Sequence, residues 1–153
     1  MLIIGVISLY SHIKLLYFNN MESEDLKKWE QDCIIIRAEN KILLANFQEW
    51  LESKNLANAT INGHIDNVSL YIDDYLLYYD AERATEKEDL IGFATWYNRK
   101  VMWGTAKKAI SSCKKFYKFL YESKLISQER YEWARTFKLE EEDDDDYSFP
   151  YFG

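Results

Sequence analysis

The chain has 153 residues, 48% hydrophobic and 29% charged, with one proline and five glycines, a composition that excludes collagen-like, mucin-like and wholly disordered chains. A chain of this length can bury a core without disulfide or metal staples. The formal charge of −7 is local: residues 140–146 are seven consecutive acids, and without them the remaining acids equal the 19 Lys and Arg in number. A single-sign run of that length repels itself and reads as a solvated tail, continued by the aromatic residues 147–153.

The two cysteines, Cys33 and Cys113, are far apart and belong to no Cys-rich framework. This suits a reducing compartment, so the expected location is cytoplasmic. With only His12 and His64 in addition, nothing has metal-ligand spacing, and neither a metal nor any other cofactor is expected.

In chain order, residues 1–21 form an apolar extension, broken by Ser8, Ser11, His12 and Lys14. So interrupted, it is marginal for a span of about twenty residues, and it fits a signal peptide poorly, with no basic start and no clean small-residue cleavage site. The expectation is a disordered segment or a loosely attached helix, with no membrane partner. Met21 is an alternative start of the working polypeptide, because Ser23 followed by Glu24 and Asp25 reads as a helix entry with Ser23 as N-cap.

Residues 22–139 are expected to be all-α, a compact bundle of four to five helices. Leu43, Phe47, Trp50 and Leu51 share one face of a first helix, which Ser53, Lys54 and Asn55 end. The run Ile34, Ile35 and Ile36 is compatible with strand or helix, since period alone does not assign so short a run. Asn58 is expected to cap a helix over about 59–80 in which Ile61, Ile65, Val68, Ile72, Tyr75, Leu76 and Tyr79 fall within a sector of about 100°. Its lateral face gathers Thr60, His64, Asn67, Tyr71 and Tyr78, and its charges are all acidic: Asp66, Asp73, Asp74 and Asp80. Thr85 to Glu88 has the pattern of a capping box before a buried segment over 88–101. Gly104 and Thr105 read as a stop followed by a cap, and Ser127 as the cap of a last helix over about 128–140.

Arg99 to Tyr121 is the most asymmetric stretch outside the tail, with seven basic residues and no acid. On a helical projection with Lys107 at 0°, Lys118, Ser111, Lys115, Lys108 and Lys114 fall between about −20° and about 100°. Ala109, Ile110, Cys113, Phe116, Tyr117 and Leu120 occupy roughly 180° to 300°. One face is lysine and the other is core. An inert surface helix commonly carries both signs at i,i+4 spacing, so a lysine-only face points to a polyanionic partner. The strip is about 16 Å long, enough to meet several phosphates of duplex DNA.

Two stretches resemble a known family. Thr60-Ile61, His64, Val68, Tyr71 and Tyr75-Leu76 form the first, and Ala109 to Ser112, Lys115 to Leu120 and Leu125-Ile126 the second. Together they are similar to the N-terminal core-binding domain of tyrosine recombinases, the phage-integrase SAM-like domain, over about residues 41–127. The resemblance implies one half of a clamp around double-stranded DNA. It places Thr60 and His64 at the start of one DNA-facing helix, and Lys107, Lys108, Ser111, Lys114 and Lys115 on the other; the projection adds Lys118 to that face.

Two departures from the family stand out: the helix over 59–80 carries no base, and no Asn-Pro follows the last core helix. The family's catalytic Arg, Lys, His and Tyr constellation belongs to a following domain, and here only the acidic tail follows. There is no Gly-rich phosphate loop, nucleophile elbow or His-Glu-x-x-His helix either. The expected protein is therefore not an enzyme, has no small-molecule substrate, and binds DNA through phosphate contacts with weak sequence readout. The alternative is a protein-interaction module or decayed integrase remnant, its basic helix meeting a separate recombinase subunit, an acidic protein, or its own tail.

Overall fold

The computed structural model describes residues 23–139, and most of them are helical. The apolar extension and the acidic tail lie outside them. The elements are α1 (Ser23–Glu52), α2 (Asn58–Ser69), a π-helical turn (Leu70–Tyr75), α3 (Leu90–Asn98), α4 (Trp103–Glu122) and α5 (Gln128–Thr136). No strand occurs among the described residues, and Ile34, Ile35 and Ile36 lie within α1.

The boundaries follow local chemistry. After α1, Asn55 takes a left-handed φ of 57°, a conformation Asn tolerates better than most residues. Ser127 caps α5 as expected, its side chain accepting from the Arg130 N–H at 3.3 Å. Elsewhere the caps differ from the sequence reading. α2 starts at Asn58 itself, with Ala57 as its N-cap and no side-chain cap. α3 starts at Leu90, and its cap is Asp89 rather than Thr85: Asp89 Oδ1 accepts from the Gly92 N–H at 3.0 Å. Gly104 lies inside α4, whose N-cap is Met102.

The largest departure lies at the end of α2. An α-helix continued to residue 80 would turn Tyr71 to the side and Tyr79 inward. Instead, the Leu76 N–H reaches back five residues to the Tyr71 carbonyl at 3.0 Å. A π turn absorbs an extra residue and rotates everything after it. Tyr71, Ile72, Leu76, Leu77 and Tyr78 are all buried, and Tyr79 is 52% exposed.

α4 is the hub, packing against α1, α2, α3 and α5. Ala109, Cys113, Phe116, Tyr117 and Leu120 on its inner face meet Phe47 and Leu51 of α1, Ile61 and Val68 of α2, Phe93 of α3 and Ala134 of α5 in one core. Phe47 and Phe116 meet edge to face at 5.3 Å, an arrangement favoured by the ring quadrupoles. α5 closes over the hub by stacking Tyr131 on Tyr121, with centroids 4.7 Å apart and planes 3° from parallel.

Candidate nucleic-acid interface

The inner side chains of α4 fix which of its faces reaches water. Every apolar residue the projection placed on its core face is buried, and Lys107, Lys108, Ser111, Lys115 and Lys118 on the opposite face are exposed. Among the described residues, Lys108, Lys115 and Lys118 form no ion pair, whereas Arg83, Lys87, Arg130 and Arg135 each hold a carboxylate. The nearest acid along the helix is Glu122, in its last turn, which accepts from Trp50 Nε1 at 2.7 Å. Lys108, Lys115 and Lys118 therefore present uncompensated charge to solvent.

Lys114 departs from the projected strip. It is partly buried, and its ammonium donates to the Arg135 carbonyl in the last turn of α5 and to the Phe137 carbonyl just after it. Those carbonyls lack helical partners and carry the negative end of the helix dipole, which makes them natural acceptors for an ammonium group. Burial, reinforced by the nearby Lys138 charge, holds the Lys114 pKa below the usual lysine range. The projection gave its angle at the edge of the strip, and α5 occupies that edge.

α2 adds neutral groups beside the lysines. His64 Nδ1 lies 2.8 Å from Ser112 Oγ, and Asn67 Nδ2 donates to the same oxygen at 2.9 Å. Ser112 Oγ in turn donates to the Lys108 carbonyl one turn back, at 3.2 Å. With the hydroxyl proton directed there, His64 is the donor at Nδ1 and its Nε2 remains an acceptor. The imidazole is half-buried, and its pKa is lowered first by burial and then by the charge of Lys115, which places that ammonium group close by. Thr60, one turn earlier on α2, is exposed. Packing of α2 on α4 thus ties His64 through Ser112 to the Lys108 backbone carbonyl and sets it within reach of the Lys115 charge.

The sequence reading missed Ser112 as the joint of this seam and placed Asn67 only on a lateral face. The detectable signal was the pair Ser111-Ser112 at the margin between the lysine face and the core face. Tyr71 and Tyr78, on that lateral face, are buried in the core, the packing role that is the commoner one for aromatics in such a position.

Beside this strip the chain leaving α5 borders two grooves. Phe137, Lys138 and Leu139 line one with Lys107, Ile110, Ser111 and Lys114. The same three line a second, of about 600 Å³, with Ile91, Ala94, Arg99 and Trp103. Among the described residues no three His, Cys, Asp or Glu side chains gather where they could hold a metal ion. No described helix is long and apolar enough to cross a membrane. No protein-family model, curated protein or solved structure matches the chain.

Proposed function

We propose that this chain is a non-catalytic DNA-binding module of the recombinase core-binding type, engaging the phosphate backbone through Lys108, Lys115 and Lys118 with Lys107 at the end of the strip. The observation that carries the reading is the uncompensated exposure of three lysines on one face of the hub helix, beside an imidazole held by Ser112. Ammonium groups on a rigid helix meet phosphates without ordering cost in the backbone, and such contacts position a protein without distinguishing bases. Thr60 and Ser111, both exposed, and the half-buried His64 are the polar groups to which this reading assigns base contacts.

The non-catalytic part of the reading is supported by the surroundings of Tyr131. Its ring is stacked on Tyr121, and its neighbours Arg130 and Arg135 are paired with Glu88 and Glu132. A tyrosine nucleophile needs free cations around a pentavalent phosphate.

The test is a salt series of duplex DNA binding. Counterion release makes log K fall linearly with log salt, by about 0.9 for each phosphate neutralised. The triple variant Lys108→Gln, Lys115→Gln, Lys118→Gln should lose at least about tenfold in affinity and flatten the slope by close to three units. An unchanged slope removes the proposal.

A further inference from the structure

We infer that the chain's own acidic segment, residues 140–146, docks along the lysine strip of α4 and competes there with DNA for the same ammonium groups. The inference rests on the DNA reading for its consequence, not for the contact itself. Three observations carry it. The first is where the described chain ends: Leu139 lines the same groove as Lys107, Ser111 and Lys114, so the acidic run begins beside the strip. That exit is fixed, because the Lys114 ammonium group holds the Phe137 carbonyl two residues earlier.

The second is reach. Seven extended residues span at most about 25 Å, and the strip from Lys107 to Lys118 rises about 16 Å along the helix axis. The run can cover the strip from end to end with no intervening linker. The third is complementarity: the tail supplies seven carboxylates and no base, and the strip supplies lysines and no acid. Among the described residues Lys108, Lys115 and Lys118 have no carboxylate partner, so the run meets cations that the folded domain does not neutralise. Tethering places those carboxylates at an effective concentration in the millimolar range, where weak individual contacts still add up.

The contact is read without DNA, by mass-spectrometric lysine acetylation of the full chain and of a variant ending at Leu139. Lys108, Lys115 and Lys118 should be protected several-fold in the full chain at low salt, with protection lost near 1 M salt, where the screening length falls to about 3 Å. Lys27 and Lys124, both exposed and off the strip, serve as references and should react alike in both forms. Equal reactivity of the strip lysines in the two forms overturns the docking. DNA binding supplies the second arm. If the truncated form binds duplex DNA at least tenfold more tightly, and a variant with residues 140–146 changed to Asn and Gln behaves like it, the docked tail is the competitor. If protection is seen but neither form binds DNA, the tail contact stands and the proposed function fails. If both forms bind DNA equally and protection is absent, the function stands and the tail inference fails.

Discussion

Two hydrogen-bonded clusters reach α4, one from the π turn and one from α2, and they differ mainly in how much water reaches them. At the far end, Asp89 donates its N–H to Tyr71 Oη at 3.0 Å, Tyr71 and Tyr117 share a hydroxyl contact of 2.6 Å, and Tyr117 donates to the Lys87 carbonyl at 3.1 Å. Each hydroxyl gives one proton, so the direction is consistent when Tyr71 donates to Tyr117. Burial holds both phenols well above the ordinary tyrosine range, and both stay neutral at any physiological pH. At the near end, Asn67 and His64 meet Ser112 beside open lysines, and His64 is only half-buried. α4 thus meets a sealed polar cluster that holds the loop to α3 and a more accessible one beside its exposed lysines. Burying the first makes its loss costly to the fold; leaving the second wet makes it available to a ligand.

That contrast breaks first at the sealed end. Tyr117→Ala removes a fully buried ring and both of its hydrogen bonds, and should cost about 3–5 kcal/mol in denaturant unfolding. A loss below about 1 kcal/mol would show that the cluster is not part of the core. Gly92→Ala comes next. A methyl group there would overlap the Tyr75 hydroxyl and the Asp89 carboxylate, which themselves meet at 2.5 Å. Overpacking of this kind should destabilise by about 1–3 kcal/mol, read from the same unfolding curves.

At the open end the expected pattern reverses. The triple variant proposed above to weaken DNA binding should unfold within about 0.5 kcal/mol of the parent, since these side chains are exposed and form no ion pair in the described fold. A larger drop in stability would mean that the lysines support the fold, and would erase the distinction between the two ends.

The smallest effect, and the most diagnostic, belongs to His64. Its pKa is lowered in the folded protein, so its contribution to stability is full above the ordinary value of 6.5 and is lost as pH falls from there through the folded value. Phosphate beside the ring favours the imidazolium and works in the opposite direction. DNA affinity should therefore rise a few-fold between pH 7.5 and pH 5.5 while stability declines, and His64→Gln should flatten the affinity trend. A parallel decline of both would place His64 outside the interface.

The inner face of α4 was legible because Ala109, Ile110, Cys113, Phe116, Tyr117 and Leu120 repeat without interruption over three turns, and every one of them is buried. The end of α2 was not. Leu70 to Tyr75 has no proline, glycine or other mark to announce an extra residue per turn, and period counting assumes a constant one. Thr85 carries a valid capping pattern, but its carbonyl accepts from the Arg130 guanidinium and the helix waits for Asp89. Local pattern states which residues are able to cap; the neighbouring helix decides which of them does. The same holds for the candidate site. The projection gave the angle of Lys114, while the acceptor carbonyls came from Arg135 and Phe137 at the end of α5, 21 and 23 residues further along.

The buried amide of Asn40 has a role of its own. α1 carries isoleucine on more than one side, with Ile36 only 1% exposed but Ile34 at 62% and Ile42 at 65%, so greasiness alone does not select which way this thirty-residue rod rolls. Asn40 Nδ2 donates to the Ile72 carbonyl in the π turn at 3.1 Å and to Asp73 Oδ1 at 2.8 Å. Only one roll angle brings an amide to that height, so the pair works as a key that sets the phase of the rod. Exchanging Asn40 for leucine would keep the bulk and discard the key, loosening the roll of α1 at its middle while Phe47 and Leu51 still hold its second half in the core.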